Sequence, residues 1–172
     1  SDGQVLTSTG SGVAWEAAAG GGNKMFWMEP LSGSFGTVSG LFNGVNCENN
    51  TNTTVYASAV VPTDFNSLTR VDLHSGFHGP DNRYAYLDMK MGTATDGVVF
   101  NNETNTDTLA AAQYRGDHDT HEVHDISGVA DGLSLASHTG EKLAFKISRQ
   151  GAHASDTVSN KWTFYGIAVL YS

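Results

Sequence analysis

The sequence predicts an all-β fold: an antiparallel β-sandwich of jelly-roll type with about eight to ten short strands and an extended N-terminal arm. Its composition favours strands and turns, because Thr, Ser and Asn fill the polar positions, Gly occurs 20 times and charged residues make up only 16%. Runs of alternating polar and apolar residues recur along the chain, and Gly-, Asn- and Asp-rich breaks separate them. No long segment sustains the period of a helix.

The chain divides into an arm and a head. Residues 1–24 are rich in Gly, Ser, Thr and Ala, which predicts an extended linker or arm. Residues 25–172 carry the strand signals and are predicted to form one β-sandwich head domain. Within the head, the segment 126–137 contains Gly128 and Gly132, so we expect at most one helical turn there.

Four runs in the head show the alternation of a strand with one core face and one solvent-facing side. The residues predicted to face the core in these runs are Val55, Ala57, Ala59, Val61, Val71, Leu73, Ala85, Leu87, Met89, Met91, Leu143, Phe145 and Ile147.

The last run, "KWTFYGIAVLYS" (161–172), differs because regular alternation makes both of its faces apolar. One face would carry Trp162, Phe164, Ala168 and Leu170, and the other would carry Tyr165, Ile167, Val169 and Tyr171. Either a neighbouring loop or another subunit must cover the outer face of such a strand.

Charge and cysteine content exclude several classes of protein. The formal net charge is −9 and no basic cluster occurs, which argues against binding to nucleic acid or to an anionic membrane surface. No apolar run approaches the roughly 20 residues of a membrane-spanning helix, so we expect no membrane insertion. Cys47 is the single cysteine, so an internal disulfide is impossible.

Three segments resemble bacteriophage tail-fibre and other virion appendage proteins. "GQVLTSTGSGVAWE" (3–16) resembles the leader that precedes a C-terminal globular head in these proteins. "AVVPTDFNSLTRVDL" (59–73) is similar to a strand–turn–strand signature of their β-sandwich modules. "HDISGVADGLSLASHTGEKLAFKISRQGAHASDT" (124–157), followed by the final apolar strand, resembles their C-terminal half.

The resemblance implies a homotrimeric head of a viral fibre or spike. Such a protein resides in the virion, contacts other virion proteins and attaches to a host-surface glycan or protein receptor. It supplies no catalytic motif and no cofactor, so we expect no enzymatic activity. A trimer would also cover the last strand, which predicts a subunit interface. The residues assigned to that interface are Trp162, Phe164, Tyr165, Ile167, Val169 and Tyr171.

Three other functions remain open at this level. A capsid decoration protein would share the architecture but bind a viral shell. A monomeric carbohydrate-binding module would bind glycans without a trimer. A small enzyme acting on host polysaccharide would need paired carboxylates, whose separation in space the sequence does not give. Neither a nucleophile elbow nor a phosphate-binding loop occurs in the sequence.

The segment "GDHDTHEVHD" (116–125) is the densest group of potential metal ligands. Its His118, His121 and His124 are candidate ligands for a transition metal. In a regular strand His118 and His124 would share one face and His121 would point to the other, so one chain does not easily bring all three together. A trimer axis would gather one His from each chain, whereas the alternative is a solvated polar loop.

A second group offers candidate binding residues. His74 and His78 lie beside the predicted turn 79–82, and Tyr84 and Tyr86 share the solvent-facing side of their strand. Amphipathic rings on a solvent-facing side favour recognition, although subunit contact and simple exposure fit the same pattern.

Overall fold

The computed structural model describes residues 4–8, 13–17, 23–31, 35–37, 43–94 and 105–172. Within these ranges the chain is built from β-strands and two short 3-10 turns, so the all-β antiparallel prediction is confirmed. The strands are β1 (Gln4–Ser8), β2 (Val13–Ala17), β3 (Lys24–Pro30), β4 (Phe35–Thr37), β5 (Asn43–Cys47), β6 (Asn52–Val60), β7 (Leu68–Phe77), β8 (Arg83–Ala94), β9 (Thr106–Gly116), β10 (His121–Asp125), β11 (Lys142–Gln150) and β12 (Trp162–Tyr171). The 3-10 turns cover Ser127–Val129 and Leu135–His138.

Ten of the described strands form one antiparallel path in the order β10-β7-β12-β3-β6-β11-β8-β9, with β5 beside β12 and β4 beside β5. Strand β3 links the two halves of this path. Its residues 24–28 pair with β12, whereas Glu29 and Pro30 pair with β6. The path is nearly closed and barrel-like.

The interior follows the predicted alternation. Of the residues assigned to the core from the four regular runs, Ala59 is partly buried and the others are fully buried. The two halves of the path meet across this interior, where the Phe145 ring of β11 lies 6.2 Å from the Phe164 ring of β12. Burial of these apolar side chains supplies the main favourable free energy of the fold.

Strand β12 departs from regular alternation through a β-bulge. Its pairing with β7 shifts register between Phe164 and Gly166, where the backbone takes φ +151°. An extra residue in a strand reverses the side to which the following side chains point. One core face therefore carries Trp162, Phe164, Ile167, Val169 and Tyr171, all buried within the single chain. The prediction of two alternative apolar faces was wrong because it assumed an unbroken strand.

The N-terminal arm contains regular structure. Strands β1 and β2 pair antiparallel, with Leu6 opposite Trp15 and Ser8 opposite Val13. They form a two-stranded sheet separate from the ten-stranded path. The predicted extended arm is therefore a β-hairpin over Gln4–Ser8 and Val13–Ala17.

A buried ion pair fixes the loop between β11 and β12. The Arg149 guanidinium donates two hydrogen bonds to the Asp156 carboxylate, at 2.9 and 2.8 Å, and both side chains are 0% exposed. Arg149 also donates to the carbonyl oxygens of Cys47 and Val158, at 2.7 and 2.8 Å. A buried charge is tolerated when it is paired and hydrogen-bonded in this way.

Candidate binding face

The outer surface of β3, β12, β7 and β10 carries an unusual group of rings. Trp27, His74, His121 and Tyr165 all lie on this side of the sheet, and we call these four residues the imidazole face. On β3 and β7 alternation accounts for the positions of Trp27 and His74, because their strand neighbours point into the core. On β7, for example, Leu73 and Ser75 are buried on either side of His74.

Two glycines let the aromatic rings lie close to the sheet. A methyl group on Gly166 would approach the Trp27 ring to 2.5 Å, and one on Gly76 would approach the Tyr165 hydroxyl oxygen to 2.5 Å. Any side chain at these positions would displace the rings. Glycine within a strand often marks such a close approach.

The four rings contact one another in sequence. His74 Nδ1 and His121 Nε2 are 3.0 Å apart and share a hydrogen bond. Trp27 packs edge-on against His74, with ring centroids 4.9 Å apart, and Tyr165 packs edge-on against His121 at 5.6 Å. The aromatic rings thus hold the histidine pair from both sides.

Burial and neighbouring charges set the protonation of the face. Burial, followed by the nearby His121, lowers the pKa of His74, and Asp72 only partly opposes the change. Burial, followed by the charge of Asp119, raises the pKa of Tyr165. At neutral pH His74 is therefore an uncharged imidazole and Tyr165 keeps its hydroxyl proton.

A second hydrogen-bonded chain runs beside the imidazole face. Asp119 Oδ1 lies 3.4 Å from His78 Nδ1, and His78 Nε2 lies 3.0 Å from Thr163 Oγ1. The Thr163 hydroxyl in turn donates to Asn46 Oδ1 at 2.8 Å. This order of acid, imidazole and hydroxyl resembles a nucleophilic triad. Thr163 is fully buried and its proton is donated away from the histidine, so the arrangement serves structure.

The other candidate nucleophile is also unsuited to chemistry. Cys47 is buried in the core, and burial raises the pKa of its thiol to about 12 despite the nearby Arg149 charge. The thiolate is the reactive form of cysteine, and a buried thiol with a raised pKa does not supply it near neutral pH.

The predicted binding residues separate into two groups. His74 belongs to the imidazole face and His78 lies next to it. Tyr84 and Tyr86 lie on β8, in the other half of the strand path. The Tyr86 ring stacks on His153 at 4.1 Å, so a loop residue already covers it, whereas Tyr84 remains 36% exposed.

The three predicted metal ligands do not come together. His118 lies in the turn before β10, His121 lies on the imidazole face, and His124 packs against Phe77 and Tyr114. The regular strand on which His118 and His124 would share a face is not formed, because β10 begins only at His121. Within the described ranges, no three His, Cys, Asp or Glu side chains are grouped as metal ligands.

Of the six predicted interface residues, Tyr165 alone keeps partial exposure. Trp162, Phe164, Ile167, Val169 and Tyr171 lie in the core of the single chain and present no surface to a partner in this conformation. The outer side of β12 instead carries Tyr165, Ala168 and Leu170. Met25, which pairs with Leu170, is 59% exposed.

Trp27 was not among the predicted binding residues. Two signals in the sequence pointed to its position. The first is the alternation of Met25 and Trp27 with Phe26 and Met28. The second is Gly166, which interrupts the apolar run 161–172.

Comparison of the chain with protein-family models, with curated proteins and with solved structures finds no match. In the part of the chain that the structure describes, no helix has the length and apolarity needed to cross a bilayer.

Proposed function

We propose that this chain is the head domain of a virion appendage of the bacteriophage tail-fibre type, which attaches to a glycan or protein receptor on the host surface. In this proposal the antiparallel path is a jelly-roll sandwich and the head works as a homotrimer. The imidazole face is the receptor-binding surface. The protein is a binding module without catalytic activity.

The imidazole face is the observation that carries this proposal. It offers amphipathic rings with polar edges on a sheet that holds them rigidly, and such residues are enriched where proteins recognise partners. Rigid presentation lowers the entropy that binding must overcome. Of the candidate nucleophiles described above, Thr163 donates its proton to Asn46 and Cys47 is a buried thiol with a raised pKa, which favours binding over catalysis.

The residues of the resemblance support the same proposal through structure. In the segment 59–73, Phe65 stacks on Tyr171 at 5.0 Å, and Asp64 accepts hydrogen bonds from Lys24 and Tyr171. In the segment 124–157, Asp125 accepts a hydrogen bond from the Ser127 amide, and Arg149 pairs with Asp156. These motifs therefore specify how the turns of the head are built.

The test measures binding of the labelled full-length chain to a panel of intact bacteria. We expect binding to at least one strain, and we expect Trp27→Ala to abolish it. Tyr56→Ala is the matched control, since Tyr56 is a 49% exposed ring on β6, a strand that carries none of the four residues of the imidazole face. Binding that survives Trp27→Ala would overturn the assignment of the face.

The same preparation separates the remaining alternatives. Light scattering should give three times the chain mass of 18.2 kDa. A monomer that binds isolated glycans would indicate a carbohydrate-binding module. Binding to empty capsids and to no cell would indicate a decoration protein.

A further inference from the structure

We infer that His74 and His121 form a two-histidine site for a divalent transition metal of the zinc, nickel and copper class, with water completing the coordination. This inference does not depend on the proposed function. It concerns a different set of residues from the predicted cluster at 118–124, with which it shares only His121.

The spacing of the two donor atoms carries the inference. His74 Nδ1 and His121 Nε2 are 3.0 Å apart. Two imidazole nitrogens bound to one metal at about 2.0–2.1 Å are roughly 3 Å apart when they occupy neighbouring coordination positions. The folded chain already holds the nitrogens at the distance that a shared metal requires.

The orientation of the rings agrees with this. The ring centroids are 5.1 Å apart, well beyond the nitrogen–nitrogen distance, and the ring planes differ by 24°. The two nitrogens therefore lie between the ring centres, and the rings meet edge to edge. In the present hydrogen bond one nitrogen donates a proton and the other accepts it. A metal would replace that shared proton, which is released to solvent, once each ring had turned to direct its nitrogen at the metal.

The surroundings hold the two histidine rings in place and leave them accessible to solvent. Adjacent strands β7 and β10 fix the two backbone positions, with Val123 opposite His74 and Gly76 opposite His121. The contacts with Trp27 and Tyr165 restrict the ring orientations. His121 is exposed and His74 is half-buried, so solvent reaches the open coordination positions. Imidazole nitrogens suit zinc, copper and nickel better than they suit calcium or magnesium.

The experiment titrates the full-length chain, freed of metal with a chelator, with NiCl2 and with ZnCl2 at pH 7.5 by isothermal calorimetry. We expect one metal per chain. His74→Asn and His121→Asn should each weaken binding by at least roughly tenfold, since even the loss of a residue that only orients a ligand costs that much. The matched controls are His118→Asn and His153→Asn, which remove exposed histidines outside the pair and should leave affinity unchanged.

Two further measurements distinguish loss of a metal ligand from loss of the folded structure. With CuCl2, electron paramagnetic resonance should show coupling to two nitrogen nuclei, which falls to one in His121→Asn. His121 is exposed, so its variant provides the test even if His74→Asn does not fold. Absence of binding would overturn the inference. So would affinity that survives both substitutions, or affinity lost in His118→Asn instead, which would move the site to the turn beside Asp119.

Discussion

Arg149 shows how single polar residues determine this fold. Its guanidinium makes five hydrogen bonds, two to Asp156 and three to the carbonyl oxygens of Cys47, Val158 and Asn160. Asp156 in turn accepts hydrogen bonds from the amides of Tyr86 and Val158. The Arg149–Asp156 pair thus connects β5, β8 and the loop before β12.

Removal of Arg149 should be severely destabilising. Arg149→Met leaves the Asp156 carboxylate buried without its partner, which typically costs about 3–5 kcal/mol of unfolding free energy. Urea denaturation measures the loss, and Arg149→Lys, which keeps the charge but not the planar fork, should lose less. If the methionine variant does not fold, the lysine variant still gives a measurable decrease.

The matched control for this prediction is an exposed ion pair. Lys161 Nζ lies 3.4 Å from Glu48 Oε1, and the two side chains are 45% and 61% exposed. Lys161→Met should change the unfolding free energy by less than about 1 kcal/mol, because solvent screens exposed pairs. Equal losses of unfolding free energy at the two positions would mean that burial does not increase the contribution of the Arg149–Asp156 pair to stability.

His124 should make stability depend on pH. Its ring packs against Phe77 and Tyr114. Its Nε2 atom is buried and has no hydrogen-bond partner among the described residues, and burial lowers its pKa from the ordinary 6.5. As pH falls below 6.5 the unfolded chain takes up a proton that the folded chain does not yet accept. The free energy of unfolding therefore falls with pH and levels off below the lowered pKa.

Urea denaturation of a His124→Phe variant at a series of pH values between 7.5 and 5 isolates this effect. Phenylalanine keeps the ring contacts and removes the titrating group, so the decrease with falling pH should become smaller. His118→Gln is the control, because His118 is exposed in the turn before β10 and its substitution should leave the profile unchanged. An unchanged profile in His124→Phe would show that other groups cause the pH dependence.

At the scale of elements, regular strands were predictable and irregular ones were not. The alternation in β6, β7, β8 and β11 gave the correct core faces because every second residue obeys the same local rule. In β12 the bulge at Tyr165 and Gly166 reversed the sides to which the following residues point, and no local sequence pattern predicts a bulge. The hairpin in the arm was missed for a related reason, since its Gly- and Ser-rich composition also describes a flexible linker.

The imidazole face was predictable only in part. The outward position of His74 follows from alternation within one strand. Its hydrogen bond to His121 depends on the register between β7 and β10, and its contact with Trp27 depends on the order of β3, β12 and β7. Both are pairings between residues distant in sequence, which composition and spacing do not encode.

Gly166 should be essential to the bulge and to the face above it. Gly166→Ala places a methyl group 2.5 Å from the Trp27 ring and 2.8 Å from the Met28 carbonyl oxygen, at a φ that side chains rarely adopt. Strain and overpacking together should cost about 1–3 kcal/mol or more. Gly140→Ala is the control, because its φ is +81° but no atom of the described residues lies within 4 Å of the added methyl group.

Thermal unfolding compares the two glycine variants, and tryptophan fluorescence reports on the ring. Gly166→Ala should lose more stability than Gly140→Ala and should change the emission of Trp27, since the methyl group displaces that ring. Equal losses of thermal stability with unchanged fluorescence would mean that backbone strain alone destabilises the variants and that the methyl group does not displace the Trp27 ring.

At the scale of the whole molecule, the arm and the head differ in how they are stabilised. The ten-stranded path buries a shared core, whereas β1 and β2 form a separate two-stranded sheet. An isolated two-stranded hairpin is marginally stable in water at best. In the proposed trimer the arm packs on a neighbouring head, and this contact adds to the stability of the arm.

Deletion of residues 1–22 tests this division. The truncated chain should keep the circular dichroism and the unfolding free energy of the head, because β3 begins at Lys24 and the described core lies within the later strands. Its assembly should weaken, so light scattering over a dilution series should show the trimer dissociating at a higher concentration than the full chain. The full chain at the same concentrations is the reference. Equal trimer stability in the two chains would assign assembly to the head, where Met25 on β3 is 59% exposed beside the half-buried Leu170 of β12.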